Sequence, residues 1–546
     1  MTSSDKTFSY FIQLGAEKYP ARTYLQTVDG ETLSYEEAYI KSIKYAHALR
    51  KLGVTNADQV AMMLPQGIDA VLVWIACCWV GARRVCIEVN PEFEGLVLQQ
   101  VLANSKAKIV FTQSDLLSRL QTINIESTLL TKAVITDTDS LQGLEDLVAS
   151  LKLEVISGKD FLLDIEAKPI ENESINSDIG SITYTSGTTG VSKGVVLHWP
   201  HFHGLIEPSP HALPHHENTC FYVPYPPSWS PGQTPVYCAA ALGCRAVLRN
   251  QLDFSQCMED IRRFQCTEFF MPQFLANFIM SQPRSKDDIS SPLESVFMLG
   301  IADDVQGFIK RFSIKNLTYG YGMTELGIAL SETNLSKSHL RGLCGRPTIF
   351  HEASIVDSND EPVETGQIGE LVIRPVRPWT VISEYFGQPE LSVHTNRNNW
   401  FHTGDAFYSD NDGDFFFVDR IKDLIHLSSG PVSSILLERL AREVKNVFQS
   451  AAVGVKEEGQ NFDQAKIFVQ PAPGAKIVEK DLFTHLKNSL PEMHHPMWIE
   501  FIDKFPRTAS LKIRKPWLRE KTHGPSTWIK TGKDYQPLYE NLAMES

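Results

Sequence analysis

Residues 183–194, TYTSGTTGVSKG, combine the residue types that can bind an anion. Glycines allow successive backbone N–H groups to turn inward and form an anion-binding concavity, and serine and threonine hydroxyls add further donors. Lys193 supplies a positive charge near the end of the segment. The spacing does not follow the usual P-loop pattern, G-x-x-x-x-G-K-[ST]. The composition therefore indicates either a phosphate-binding loop or a hydrated hairpin turn.

The same segment contains a second motif, G-x-S-x-G, at residues 190–194. This motif carries the nucleophilic serine of α/β-hydrolases, in which a strand precedes the serine and a helix follows it. Here Ser192 is followed by Val195-Val196-Leu197, a run that is typical of a strand. The sequence therefore disfavours a serine hydrolase.

A second segment, GYGMTELG at residues 320–327, offers groups suited to a nucleotide. The ring of Tyr321 could stack on a base. Thr324 and Glu325 carry the oxygen ligands that Mg²⁺ prefers when phosphate oxygens complete its coordination. Taken alone, however, the segment is equally consistent with a polar turn.

A third segment, HTGDAFYSDNDGDFFFVDRIKD at residues 402–423, adds a carboxylate and a cation. Asp405 is suited to pairing with ribose hydroxyls, and Arg420 follows it fifteen residues later. The DNDGD stretch imitates a calcium loop, but its glycine occupies the fourth place and not the sixth. This stretch therefore predicts a tight hairpin turn.

Histidines are concentrated in residues 198–216, where they could suggest a metal site. They are His198, His201, His203, His211, His215 and His216. No carboxylate or cysteine completes a ligand pattern at a useful spacing, so the sequence favours ordinary loop histidines over a metal centre.

The segments around these motifs alternate between strand-like and helical patterns. Residues 34–53 show helical spacing of apolar positions and end in glycine, and the apolar run 70–82 predicts a buried helix too short to span a membrane. The alternation predicts a parallel sheet covered by helices. Beyond residue 345, strands separated by turns predict an antiparallel or barrel-like section, and a small α+β domain begins near Ile421.

Composition limits the classes of protein and of partner. A chain of 546 residues is too long for one hydrophobic core, so we expect two or more domains. The net charge of −14 disfavours nucleic acid and anionic lipid as partners. Nine cysteines without a C-x-x-C pair suggest reduced thiols, and the N-terminus has no apolar signal region, so we expect a cytoplasmic protein without a membrane span.

Taken together and in this order, the motifs resemble those of the adenylate-forming superfamily, which contains acyl-CoA synthetases, peptide-synthetase adenylation domains and luciferases. The resemblance also includes the PRTASLK stretch that ends at Lys512, and it covers nearly the whole chain. It implies an α/β fold with a large N-terminal domain (1–421) of two sheet-and-helix lobes plus a distorted β-barrel. A small, mobile α+β C-terminal domain (422–546) would follow.

The resemblance implies a reaction in which ATP and a carboxylic acid form acyl-AMP and pyrophosphate, after which an acceptor takes the acyl group. Residues matching the phosphate loop are Thr185, Ser186, Gly187, Thr188, Thr189, Gly190 and Lys193. Residues matching the adenine pocket are Tyr321 and Gly322 on one side and Gly300, Ile301 and Ala302 on the other. Asp405 and Arg420 would bind the ribose.

The resemblance also implies residues that bind Mg²⁺, a catalytic lysine and a hinge for the small domain. Thr324 and Glu325 would act at the reacting phosphates, with Glu325 as the Mg²⁺ ligand. Lys512 matches the catalytic lysine that bridges the carboxylate and the α-phosphate, and attack of an anion on a polyanion needs such a positive charge. Lys422 matches the hinge about which the small domain rotates.

Two departures from the family pattern concern the acceptor. Ser428-Ser429 replace a glycine pair that lets the pantetheine arm of CoA pass, and Leu511 replaces the glycine before Lys512. Ser434 also occupies a position where proline is usual. A side chain at a position built for glycine narrows a passage. These changes shift our expectation slightly towards an amino acid amine as the acceptor, as in coronafacate ligase-type enzymes, with CoA as the alternative.

The pocket for the carboxylic acid is less well defined. The residues that fall where relatives line it are His198, Trp199, Tyr225 and Trp229. Their rings indicate an apolar, aromatic wall suited to a cyclic or acyl acid, although core packing explains the same residues.

Overall fold

The computed structural model describes residues 6–87, 94–185, 192–205, 215–457, 459–507, 513–521 and 523–538. The backbone forms two compact units. The first comprises Met1–Ser354, Val372–Phe401 and Asp412–Phe416, and the second comprises Ile355–Leu371, His402–Asn411 and Phe417–Ser546. The division into domains 1–421 and 422–546 stays a prediction.

The helices are numbered in chain order. They are α1 (Phe8–Lys18), α2 (Tyr35–Lys51), α3 (Ile68–Trp79), α4 (Gly95–Ser105), α5 (Glu145–Ser150), α6 (Gly158–Phe161), α7 (Ser230–Leu242), α8 (Cys257–Phe264), α9 (Gln273–Ser281), α10 (Val305–Phe312), α11 (Pro389–Thr395), α12 (Ser434–Arg442), α13 (Glu479–Ser489) and α14 (Lys515–Glu520).

The strands are numbered in the same way. They are β1 (Thr23–Thr27), β2 (Thr32–Ser34), β3 (Gln59–Met63), β4 (Arg83–Cys86), β5 (Ile109–Thr112), β6 (Lys132–Ile135), β7 (Glu154–Ser157), β8 (Ile179–Thr185), β9 (Lys193–His198), β10 (Cys220–Val223), β11 (Arg245–Leu248), β12 (Glu268–Pro272), β13 (Ser295–Leu299), β14 (Asn316–Met323), β15 (Gly327–Glu332), β16 (Leu343–Pro347), β17 (His351–Val356), β18 (Gly369–Pro375), β19 (Phe401–Ser409), β20 (Phe415–Arg420), β21 (Ile425–Leu427), β22 (Gly430–Val432), β23 (Val447–Val455), β24 (Gln464–Pro471), β25 (Trp498–Phe501), β26 (Thr527–Thr531) and β27 (Asp534–Pro537).

The helices predicted over residues 34–53 and 70–82 are confirmed as α2 and α3. A capping box starts α2: the Ser34 hydroxyl accepts from the Glu37 backbone N–H, and the Glu37 carboxylate accepts from the Ser34 N–H. In α3 every residue except Asp69 is buried, which agrees with its uniformly apolar sequence. Among the described residues, no helix combines the length and the apolar character needed to cross a bilayer.

The first unit contains the predicted parallel sheets. One sheet has the strand order β7-β6-β5-β3-β4-β8-β9, and all of its pairs are parallel except β8–β9. In the other, β1, β11, β10, β12, β13 and β14 run parallel, and β15 and β16 continue antiparallel. The carboxyl ends of parallel strands meet at one edge, which is the usual place for a ligand in such sheets.

The second unit contains the predicted small α+β core. Its sheet has the order β23-β24-β25-β26-β27, and α12 and α13 pack on one face through residues such as Leu437, Leu482 and Ile467. The short β21–β22 hairpin joins the same core through Ile425 and Val432.

A buried glutamate lies in the sheet of the first unit, at the start of β12. Glu268 is completely buried, and neither of its carboxylate oxygens has a hydrogen-bond partner among the described residues. Burial, with a smaller contribution from the neighbouring charge of Glu294, raises the pKa of Glu268 to about 9. The folded protein therefore keeps a proton on Glu268 at neutral pH.

Glu268 should make the stability of the fold depend on pH. The unfolded chain loses this proton near pH 4.5 whereas the folded protein keeps it to about pH 9, so stability falls as pH rises between those values. Glutamine has no proton to lose at this position. The free energy of unfolding of Glu268→Gln should therefore exceed that of the wild type by up to about 3 kcal/mol at pH 7, and the difference should vanish below pH 4.5. Urea denaturation of both proteins between pH 4.5 and 8 measures this gain.

Glu294 provides the control for this prediction, because its ion pair with Lys315 lowers its pKa. Its contribution to stability is present above the ordinary glutamate pKa, so Glu294→Gln should destabilise the protein at pH 7. A gain from Glu268→Gln that is the same at every pH would contradict the account of Glu268.

Candidate functional site

The glycine- and threonine-rich segment connects two neighbouring antiparallel strands. Thr185, the last residue of β8, pairs with Lys193, the first residue of β9. Because a strand follows Ser192, the context of a hydrolase nucleophile is absent, as predicted. Most of the predicted phosphate loop lies outside the described residues, namely Ser186, Gly187, Thr188, Thr189 and Gly190.

The two predicted walls of the adenine pocket are neighbours at the carboxyl edge of the parallel sheet. β13 and β14 pair in register with Leu299 opposite Gly320, so Gly300–Ala302 emerge beside Tyr321–Gly322. Gly300 has a φ of +72° and donates its N–H to the Gly320 carbonyl at 3.3 Å. The left-handed backbone at Gly300 favours glycine and turns the chain across the edge of the sheet.

The hairpin between β14 and β15 carries Thr324 and Glu325. Met323 pairs with Gly327, so these two residues lie in the turn. At Gly322 a side chain would place its first carbon 2.2 Å from the Gly327 carbonyl oxygen, so the hairpin can close this tightly only with glycine. Glu325 is 7% exposed, which places its carboxylate in a largely desolvated position, and Thr324 precedes it in the turn.

A residue that the motifs did not indicate, Tyr385, joins the hairpin to the phosphate loop. Its hydroxyl donates to Glu325 Oε1 at 2.9 Å, and Lys193 Nζ lies 5.2 Å from the centre of its ring. Tyr385 therefore contacts two of the predicted site residues, which belong to segments more than 120 positions apart in the chain. No local pattern in the sequence marks it.

In the second unit, the predicted ribose-binding pair is formed. Arg420 Nη1 lies 2.9 Å from Asp405 Oδ1, and Asp405 is 1% exposed. The Thr403 hydroxyl accepts from the Asp405 backbone N–H, and Glu370 accepts from that of Gly404. These bonds fix the TGD segment within β19.

The predicted hinge residue also lies in the second unit. Lys422 is in a short 3₁₀ turn, Ile421–Asp423. Arg519 of α14 donates to the Lys422 carbonyl at 2.8 Å and pairs with the Asp423 carboxylate at 2.5 Å. Arg519 thus fixes this turn through the Lys422 carbonyl and the Asp423 carboxylate.

The structure gives a physical role to Ser434, which occupies a position where proline is usual. Its backbone N–H and its hydroxyl both donate to Asp419 Oδ2 at 2.6 Å, and Lys515 Nζ donates to its oxygen at 2.6 Å. Proline could make none of these bonds. Ser434 therefore ties the start of α12 to the end of β20 and to α14.

Ser428 and Ser429 form the two-residue turn of the β21–β22 hairpin, in which Leu427 pairs with Gly430. Both serines are exposed, and neither has a positive φ. The positive φ, +117°, falls on Gly430. Serine thus fits this turn without backbone strain, and its side chain projects where the family pattern has none.

The predicted carboxylate-pocket residues lie among core side chains. Trp199 is 1% exposed and stacks on Trp74 and Tyr237, and Tyr225 is fully buried with its hydroxyl donating to the Phe270 carbonyl. These contacts agree with core packing for Trp199 and Tyr225, and their role in a pocket stays a prediction.

Trp229 and His198 are the other two residues assigned to that pocket. Trp229 is partly exposed at the start of α7 and stacks on Tyr225 at 6.2 Å between ring centres. His198 is bound on both ring nitrogens, 2.7 Å from the Ser177 carbonyl and 2.9 Å from the Ser383 hydroxyl. Burial lowers its pKa, so it is neutral at neutral pH.

The other histidines of this region have separate partners. His201 lies 3.1 Å from the Thr380 carbonyl, His203 bonds to Tyr237, and His216 faces Glu294. Within the part of the chain that the structure describes, no histidine belongs to a cluster of three possible metal ligands. His211 and Lys512 lie outside the described residues.

Comparison with known proteins gives the family. The family model of the AMP-binding enzyme matches residues 12–386, and that of the AMP-binding enzyme C-terminal domain matches residues 436–512. The chain is 25% identical to a crotonobetaine/carnitine–CoA ligase of Salmonella paratyphi B over 484 residues, covering 87% of this chain and 90% of that one. Against the enzyme of that name from Proteus mirabilis it is 25% identical over 523 residues, with 92% and 97% covered.

Solved structures share the fold. A benzoate CoA ligase from Burkholderia xenovorans superposes with a TM-score of 0.79 at 20% identity, covering 94% of this chain and 99% of that one. An o-succinylbenzoate CoA synthetase from Bacillus subtilis, in complex with its acyl-adenylate intermediate, gives 0.77 at 19% identity, with 94% and 98% covered. The predicted α/β fold with a large N-terminal and a small C-terminal part is confirmed. Since the first family model alone spans well over half of the sequence, the chain belongs to the AMP-binding enzyme family and is an AMP-forming, adenylate-forming ligase.

Proposed function

We propose that the protein is an acyl-CoA ligase, which activates a carboxylic acid with ATP as acyl-AMP, releases pyrophosphate and transfers the acyl group to CoA. The observation that carries the first half of this proposal is the connection of Lys193, Tyr385 and Glu325 in the first unit. Tyr385 contacts both the ammonium group of Lys193, at the end of the phosphate-loop motif, and the desolvated carboxylate of Glu325. Polyphosphate and a divalent cation need this combination of charges.

The residues fit Mg²⁺ and ATP. Glu325 and the Thr324 hydroxyl are hard oxygen donors of the kind that Mg²⁺ binds together with phosphate oxygens. Bound there, the ion would supply positive charge to the phosphates and so favour departure of pyrophosphate. Lys193 and the loop from Thr185 would hold the β- and γ-phosphates, and Lys512 would steer the acid's oxygen onto the α-phosphorus.

The remaining nucleotide contacts are those that the resemblance to the family implies. We propose that adenine lies between Tyr321–Gly322 and Gly300–Ala302, which are neighbours at the end of the β13–β14 pair. Asp405, already oriented by Arg420, offers a carboxylate to the ribose hydroxyls.

CoA is favoured as the acceptor by the relatives. The matched crotonobetaine/carnitine–CoA ligases and the structurally similar benzoate CoA ligase all carry CoA in their names. Our expectation from sequence inclined slightly towards an amine, and these relatives favour its alternative. Because Ser428 and Ser429 fit their turn without strain, they need not signal a different reaction.

An amino acid amine is the second candidate, and one observation favours it. The side chains of Ser428 and Ser429 project from an exposed turn at the position of the family's glycine pair. An amine needs no long passage of the kind that the pantetheine arm of CoA requires. The side chains of Ser428 and Ser429 would therefore not hinder its approach to the acyl-AMP.

Two measurements test the proposal. Exchange of labelled pyrophosphate into ATP should depend on a carboxylic acid from a broad panel, and the absence of exchange with every acid would refute adenylation. Mass spectrometry of a reaction containing the active acid, CoA and mixed amino acids should then show a thioester. An amide as the sole product would overturn the assignment of CoA and support the second candidate.

A further inference from the structure

Tyr385 belongs to a segment that runs beside β9 and makes backbone hydrogen bonds both to that strand and to the turn that contains Glu325. The Phe386 N–H donates to the Gly194 carbonyl at 2.7 Å, and the Val196 N–H donates to the Glu384 carbonyl at 3.3 Å. At its other end, the Ile382 N–H donates to the Glu325 carbonyl at 3.0 Å. Residues 382–388 thus form a strap from β9 to the Glu325 turn.

Within this strap the Tyr385 side chain is buried, with 3% of its surface exposed. Its hydroxyl is therefore shielded from solvent and donates to Glu325 Oε1 at 2.9 Å. Its acceptor, Glu325 Oε1, cannot donate in return when ionised, so the direction of this bond is fixed.

The two parts of the side chain act on different partners. The hydroxyl fixes one carboxylate oxygen of Glu325, which limits rotation of that group and leaves its orientation set before any ligand arrives. The ring lies 5.2 Å from Lys193 Nζ, within the range in which an aromatic face attracts a cation. Removing the hydroxyl alone therefore separates these two effects.

We propose that Tyr385 is a positioning residue that orients Glu325 for Mg²⁺ through its hydroxyl and holds Lys193 towards the phosphates through its ring. The inference rests on the proposed function, because it assigns to Tyr385 a role in binding Mg²⁺ and ATP. Tyr385 itself touches neither the acid nor the reacting phosphorus in this account.

The test compares Tyr385→Phe and Tyr385→Leu with the wild type in pyrophosphate exchange. Without the hydroxyl, the Mg²⁺ concentration for half-maximal exchange should rise about 10-fold, because loss of a group that orients a metal ligand has effects of this size. The KM for the acid should change by less than about twofold, since the hydroxyl does not contact it. Tyr385→Leu should in addition raise the KM for ATP about threefold at saturating Mg²⁺.

Tyr222→Phe is the matched control. Tyr222 is also buried and also donates to a carboxylate, Asp260 Oδ2 at 2.6 Å, but it lies on β10 and is assigned no role in the site. Asp260 retains its pair with Arg249 when the hydroxyl is removed. This variant should lose stability or active fraction without moving the Mg²⁺ midpoint.

An unchanged Mg²⁺ midpoint in Tyr385→Phe, with wild-type exchange intact, would overturn the inference and leave the proposed function standing. If the wild type shows no exchange, calorimetric titration of ATP with and without MgCl₂ provides the same comparison without an acid. Mg²⁺-dependent ATP binding that weakens in Tyr385→Phe would still support the inference. A wild type that binds no ATP would overturn both.

Discussion

Replacing Glu325 with glutamine should reduce acid-dependent pyrophosphate exchange by about 100-fold or more. Loss of an outer-shell partner of a metal already costs about 10- to 100-fold, and a direct ligand should matter at least as much. Glutamine keeps the shape and still accepts from Tyr385, so the variant removes the negative charge and little else. Exchange rates measured over a range of MgCl₂ concentrations give both the size of the loss and its cause.

Glu332→Gln is the control from the opposite end of the same hairpin. Glu332 is also buried, and it accepts from the backbone N–H groups of Thr333 and Asn334 at 2.8 and 2.7 Å. A glutamine carbonyl can accept the same bonds, so this variant should retain exchange. Near wild-type rates for Glu325→Gln at every Mg²⁺ concentration would show that Glu325 does not hold the ion.

Replacing Lys512 with alanine should reduce adenylation by about 100-fold or more, because removing one group that stabilises developing charge in a transition state costs about that much. Here two anions, a carboxylate and a triphosphate, must approach each other, and Lys512 is proposed to neutralise the contact. The same variant supplied with a chemically prepared acyl-AMP should form thioester with a much smaller loss, since activation has already occurred.

Lys504→Ala tests whether this effect is specific. Lys504 is an exposed lysine eight residues earlier in the same basic stretch, so its loss changes the net charge equally. It should leave exchange unchanged. Equal losses of exchange activity in Lys504→Ala and Lys512→Ala would contradict the role assigned to Lys512. So would equal losses of adenylation and of thioester formation from acyl-AMP in Lys512→Ala.

Much of the scaffold could be predicted from sequence because its signals are local. The helical spacing of apolar residues over 34–53 and the apolar run 70–82 each lie within one short stretch of sequence, and these stretches form α2 and α3. The strand after Ser192 was evident from three consecutive β-favouring residues, and it suffices to exclude the hydrolase. The order of the motifs predicts the family, which the family models confirm.

The parts that sequence could not give depend on contacts between distant segments. Tyr385 lies sixty positions from Glu325, and only the pairing of residues 382–388 with β9 brings it to the site. The role of Ser434 likewise emerges only when Asp419 and Lys515 are brought together around it. The sequence shows only that Ser434 stands where proline is usual. In the structure, Ser434 forms three hydrogen bonds that proline could not form.

The choice of acceptor shows how little the residue type alone decides. A serine in place of glycine suggests a narrowed passage when only the residue type is known. In the β21–β22 hairpin neither Ser428 nor Ser429 has a positive φ, and the positive φ falls on Gly430.

A crystal structure of the protein with Mg²⁺ and a non-hydrolysable ATP analogue tests the central claim most directly. We expect the terminal phosphates to lie against the loop between Thr185 and Lys193, with the metal ion bound to Glu325 and the adenine ring against Tyr321. A nucleotide bound at any other place on the chain, or phosphates with no contact to Lys193 and a metal with none to Glu325, would contradict it.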